Sequence, residues 1–92
     1  MSEYIEIETE LSDDGSQIYF YTNLRLTDQG AEAYDGTAAM EEGSPVAQAL
    51  AVIGGIAHLR LEEDELIITP EPDAAWHAIV ADVSAALKDF FL

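Results

Sequence analysis

Near the C-terminus, Trp76, Ile79, Val80, Val83, Leu87 and Phe90 follow one another at steps of three, one, three, four and three. That spacing gathers them on one side of an α-helix. A helix with one apolar side is stable mainly through packing against another layer. Each buried side chain of this kind contributes about 1.5–3 kcal/mol, before the entropy of ordering it is subtracted. Asp73 stands where a capping side chain would start the helix. With 92 residues there is room for one domain, residues 1–92, which buries about 60–65% of its unfolded surface. The layer facing this helix therefore has to come from the rest of the same chain.

That rest reads mostly with period two. In residues 3–9, Ile5, Ile7 and Thr9 alternate with Glu6, Glu8 and Glu10, as in a half-buried strand. Ser12 to Ser16 is a turn cluster containing Asp14-Gly15, and Gln17 to Asn23 is a second strand rich in aromatic and β-branched residues. Leu24, Leu26 and Thr27 extend that strand or open a short third one. Asp28 to Gly43 is small, acidic and glycine-dotted, which reads as a long loop with a helical turn at Thr37 to Glu42. Ser44 as N-cap, Pro45 at the first helical position and Gly54-Gly55 beyond the last turn delimit a short helix ending at Ile53. Ile56 to Glu62 and Glu65 to Thr69 form a hairpin, after which Pro70 and Pro72 end pairing. The expected fold is α+β: a small, largely antiparallel sheet of four to five strands with two helices packed on one face.

Charge narrows the partners. Nineteen Asp and Glu stand against three Lys and Arg, a net charge of −16. Arg25, Arg60 and Lys88 cannot supply the counterion release that drives nucleic-acid binding, nor hold an anionic membrane. A basic protein partner, a salt-rich cytoplasm and selection for solubility each produce such a surface. No run approaches the ~18 apolar residues of a membrane span, and the acidic start Met1-Ser2-Glu3 is unlike a signal peptide. A cytoplasmic protein is the expectation.

Residues able to do chemistry are few. Cysteine is absent, so this stretch holds no thiolate nucleophile, no thiolate metal ligand and no iron–sulfur cluster on its own sulfurs. His58 and His77 are surface histidines by default, and zinc would need two further ligands. Ser44 is accounted for as a helix cap, and no nucleophile elbow or phosphate-binding glycine loop is present. No catalytic residue, cofactor or metal site is expected. The run Glu62-Glu63-Asp64-Glu65 offers oxygens to a hard cation, yet it lacks the alternation and central glycine of a calcium loop. A solvated hairpin tip is the simpler reading, with divalent-cation binding as the alternative. If Ile18 and Phe20 face the helices, Tyr19 and Tyr21 stand on the opposite face of the sheet, where exposed aromatics suit protein recognition. Tyr19, Tyr21, Glu62, Glu63, Asp64 and Glu65 together are the candidate partner surface.

One resemblance sharpens this reading. Ser44-Pro45-Val46-Ala47-Gln48-Ala49-Leu50, then Ile53-Gly54-Gly55-Ile56, Asp64, Leu66-Ile67-Ile68-Thr69 and Trp76 resemble the N-terminal domain of the Nfu/NifU-like iron–sulfur scaffold proteins. The similarity covers about the last fifty residues. Ahead of it, Thr9-Glu10-Leu11-Ser12 stands where the family usually has Thr-Pro-Asn-Pro, and Ala51, Arg60 and Glu65 stand where it often has Phe. Full-length relatives carry a second domain whose Cys-x-x-Cys motif holds the cluster, and these 92 residues have no such motif. What the resemblance implies is a compact α/β sandwich serving iron–sulfur cluster assembly as a stand-alone accessory domain. The functional expectation is a non-catalytic acidic interaction module with a protein partner.

Overall fold

A computed structural model of the chain describes residues 5–27 and 30–91. Five strands form one sheet: β1 (Ile7–Leu11), β2 (Ile18–Thr22), β3 (Ala31–Tyr34), β4 (Ile56–Glu62) and β5 (Glu65–Pro70). Their spatial order is β1-β2-β5-β4-β3, and every neighbouring pair is antiparallel. Three helices accompany them: α1 (Thr37–Glu41), α2 (Pro45–Leu50) and α3 (Trp76–Phe91). The α+β class and the antiparallel sheet agree with the sequence reading, with α1 as a third, short helix. No helix among the described residues is long and apolar enough to cross a membrane.

The local reasons are visible in each element. Between β1 and β2 the Asp14 carboxylate accepts from the Ser12 hydroxyl (2.9 Å), the Ser16 hydroxyl (2.7 Å) and the Ser16 N–H (3.0 Å). Those bonds, led by the Ser16 hydroxyl, hold the Asp14 pKa down at about 2. Gly15 completes the turn at φ +73°, a conformation most side chains resist. Ser44 caps α2 as expected, its hydroxyl accepting from the Ala47 N–H at 3.5 Å, with Pro45 at the first helical position. The α2 helix stops at Leu50, and the three residues to Ile53 continue as turns rather than helix.

The core lies between the sheet and the helices. Ile18 and Phe20 of β2, Leu59 and Leu61 of β4, and Leu66 and Ile68 of β5 face inward. Met40, Leu50, Ile79, Val83 and Leu87 descend on them from the helices, all buried. The α3 stripe is narrower than its spacing predicts. Trp76 and Phe90 at its two ends remain 38% and 43% exposed, and Val80 is half-buried. Only the central turns of this sixteen-residue helix, about 24 Å long, therefore supply fully buried side chains: Ile79, Val83 and Leu87. Asp73 does not cap α3 either. It sits in the turn closed by Ala74 N–H to Glu71 C=O (3.0 Å), while the helical bonds start from the Ala75 carbonyl.

The segment between β2 and α1 departs most from expectation. Leu24, Leu26 and Thr27 form no strand; Leu26 and Thr27 are buried, and the Leu26 N–H donates to the Glu63 carbonyl at 2.7 Å. The third strand is instead Ala31–Tyr34, inside the stretch read as loop, and it pairs with β4. Its inward side chains are Glu32 and Tyr34 and its outward ones Ala31 and Ala33, the reverse of an ordinary amphipathic strand. In β1 the strand is shifted toward the turn, and residues 3 and 4 of the expected strand lie outside the described residues.

Candidate functional site

Among the described residues, helices cover only one face of the sheet and leave the other bare. Strand register decides which side chains share the bare face. Glu8 lies opposite Tyr21, and Tyr21 opposite Glu65; Glu10 lies opposite Tyr19, and Tyr19 opposite Ile67. Directly opposed residues in antiparallel strands point the same way. Ile67 is then opposite Arg60, and Arg60 opposite Ala33. The result is an apolar centre of Tyr19, Tyr21 and Ile67 with ionic side chains around it. The Tyr19 and Tyr21 rings lie 6.4 Å apart at 34°.

On the β4–β3 side Arg60 and His58 both have acidic neighbours. The Arg60 Nε donates to the Glu62 carboxylate at 2.8 Å, and His58 Nδ1 lies 3.0 Å from Asp35. There the face dips into a solvent-open depression of about 510 Å³ bordered by Gln17, Tyr34, His58, Ile67 and Thr69. On the β1–β2–β5 side the carboxylates of Glu8, Glu10 and Glu65 surround the tyrosines. Desolvation first, then the charges of Glu10 and Glu65, raise the Tyr21 phenol above its ordinary pKa.

A second concavity, of about 250 Å³, opens between the Leu26-Thr27 segment, β3, the start of α2 and the end of α3, with Phe90 and Phe91 on its wall. Here the Glu32 carboxylate accepts hydrogen bonds from the hydroxyls of Thr27 and Tyr34. The Tyr34 hydroxyl also accepts from the Ser44 N–H at 3.2 Å. Gly43 makes room for this: a Cβ there would fall 2.4 Å from the Tyr34 ring. Partial burial works to raise the Glu32 pKa, but the hydroxyls of Thr27, Tyr34 and Ser44 outweigh it and hold it below its ordinary value. A carboxyl kept ionised in this way is a structural acceptor tying β3 to α2. General acid–base work at neutral pH asks for the opposite shift.

A third feature is a groove beside α2 and α3, lined by Ala49, Val52, Ala85, Ala86, Asp89 and Phe90, with Val52 85% exposed.

The structure unites only part of the candidate partner surface. Tyr19, Tyr21, Glu62 and Glu65 share the bare face. Glu63 and Asp64 sit at the hairpin tip, where their carbonyls accept from the Leu26 and Thr22 N–H groups (2.7 and 2.9 Å). Among the described residues no three Asp, Glu or His side chains converge to hold a metal ion. His58 lies on the bare face, and His77 stacks on Trp76 at 3.7 Å, both exposed. Sequence reasoning missed Ile67, Glu8 and Glu10 as members of the face, because their place beside the tyrosines is set by strand register. It also missed the Glu32 cluster, for which no strand was expected.

No protein-family model matches the chain, and no curated protein matches its sequence. Solved structures do match. The solution structure of a NifU-like protein from Saccharomyces cerevisiae superposes with a TM-score of 0.77 at 18% identity, covering 97% of this chain and 82% of that one. The crystal structure of protein SAV1430 from Staphylococcus aureus superposes with a TM-score of 0.69 at 14% identity, covering 89% of this chain and 98% of that one. This chain has a NifU-like fold. At these identities the likeness concerns the backbone arrangement, and the resemblance seen from Ser44 to Trp76 agrees with it.

Proposed function

We propose that the chain is a cytoplasmic, non-catalytic interaction module, the counterpart of the N-terminal domain of Nfu/NifU-like proteins, serving iron–sulfur cluster assembly by docking a protein partner. The observation that carries this reading is the bare sheet face with Tyr19, Tyr21 and Ile67 at its centre. Aromatic side chains ringed by polar groups are the usual anchors of protein interfaces. The fold shared with a NifU-like protein supports the assembly context. With no cysteine in the 92 residues, any cluster in such an assembly is ligated by other sulfurs. The ionised, hydroxyl-bound state of Glu32 favours a structural over a proton-transfer role for the carboxylate in the concavity beside Phe90 and Phe91.

The test is affinity capture from native cells with the wild-type chain and a Tyr19→Ala/Tyr21→Ala variant, alongside a deletion strain. Iron–sulfur assembly proteins should be retained by the wild type and lost by the variant, and iron–sulfur enzyme activities should fall in the deletion. Capture without any iron–sulfur protein, together with normal enzyme activities, would refute the assembly role.

A further inference from the structure

We propose that the β1–β2–β5 half of the bare face seats a basic amphipathic helix of a partner protein, its apolar side on Tyr19, Tyr21 and Ile67 and its lysines or arginines against Glu8, Glu10 and Glu65. This rests on the reading of the face as a docking surface and adds the chemistry of the occupant. Two cross-strand rows define the seat, Glu8–Tyr21–Glu65 and Glu10–Tyr19–Ile67. Strands lie about 4.8 Å apart, so each row spans about 10 Å, the width of an α-helix with its side chains. The aromatic rings occupy the middle of that width, with Glu8 and Glu10 along the β1 margin and Glu65 beside Ile67 on the β5 margin.

Charge selects the occupant. On the β4–β3 half Arg60 and His58 already sit beside Glu62 and Asp35. The β1–β2–β5 rows contain carboxylates and no Lys, Arg or His. Desolvation, and after it the charges of Glu10 and Glu65, raise the Tyr21 phenol above its ordinary pKa, in keeping with the two carboxylates flanking the rings. A second copy of the chain would bring like charges together across the contact, which costs several kcal/mol. Nucleic acid is repelled for the same reason, and the net charge of −16 steers cationic partners toward the surface.

The test uses three synthetic peptides: a helical one with a Leu/Trp side and a Lys side, the same peptide with Glu for every Lys, and a scrambled Lys-matched peptide. Binding is followed by titration calorimetry and backbone amide shifts at low salt. The basic amphipathic peptide should shift residues 19–21 and 65–67 most, and the acidic one should not bind. Glu10→Lys/Glu65→Lys should weaken binding at least ~10-fold, whereas Glu41→Lys/Glu42→Lys on α1, an equal change in net charge, should weaken it less than ~2-fold. Equal losses in the two variants, equal binding of the scrambled or acidic peptide, or shifts centred on the α2–α3 groove would each overturn the proposal. A native partner that is captured by the wild type and still held by Glu10→Lys/Glu65→Lys would refute the basic-helix seat while leaving the docking role intact.

Discussion

The two faces of the sheet are made by the same strands and have opposite fates. In β2, Ile18 and Phe20 are 0% exposed, while Tyr21, the very next residue after Phe20, is 39% exposed. In β5, Leu66 and Ile68 are buried and Ile67 between them is half-buried on the bare side. The inward set meets helices brought from distant parts of the chain, and its energy is that of close packing. The outward set meets water, so its aromatic and aliphatic atoms contribute little to folding and remain available for a partner. Packing and the proposed recognition are thus separated by one residue along a strand.

The largest effect expected within this contrast is at Val83, fully buried on the covered side. Val83→Asp places a charge with no partner among Leu and Ile side chains, at a cost of several kcal/mol against a stability of about 5–15 kcal/mol. Circular dichroism should show an unfolded or barely folded chain, and a cooperatively folded variant would contradict the packing of α3.

Next is the adjacent pair in β2. Phe20→Ala should cost about 3–5 kcal/mol in urea melts, and Tyr21→Ala less than about 1 kcal/mol. Similar losses at both positions would erase the distinction between the faces.

A smaller effect is expected at Glu32, whose carboxylate joins Thr27 and Tyr34 at the margin of the covered side. Glu32→Gln should cost about 1–2 kcal/mol once partial solvent screening is allowed for. The pH dependence has a definite sign. Glu32 and Asp14 both ionise more readily in the folded chain than at their ordinary values of 4.5 and 3.8. Their contribution is therefore complete above those values and is lost as pH falls, for Asp14 down to about 2. Urea melts between pH 5 and 2 should show stability falling with acid and a shallower fall for Asp14→Asn.

Salt should produce the mildest change. Sixteen carboxylates in excess repel one another, so stability should rise from low to molar KCl, and a flat curve would mean that their spacing already suffices.

Much of the covered face was legible before any coordinates. Regular alternation in Gln17–Asn23 and in the Ile56–Thr69 hairpin, the Ser44-Pro45 helix start and the helical period of Ile79, Val83 and Leu87 each reflect side chains sorted by solvent contact. The failures have two causes. In β3 the inward positions are Glu32 and Tyr34, half-buried and held by hydrogen bonds to Thr27 and to each other, so hydrophobic alternation carries no signal there. Asp73 looked like a cap by spacing, but the turn at Glu71–Ala74 moved the helix start beyond its reach. Of the candidate site, Tyr19 and Tyr21 followed from alternation alone. Glu8, Glu10 and Ile67 required register, which depends on how strands far apart in the chain align.

What the sequence alone determined is the kind of layer each segment can join and the sign of the surface, because side-chain periodicity and ionisation are properties of the chain itself. Tertiary structure decided which face stayed bare, which carboxylates gathered beside the tyrosines and which acid was drawn inward, because those outcomes depend on strand order and on hydroxyls contributed from elsewhere. The charge was written along the whole chain; only pairing of β1, β2 and β5 concentrated it around an aromatic centre.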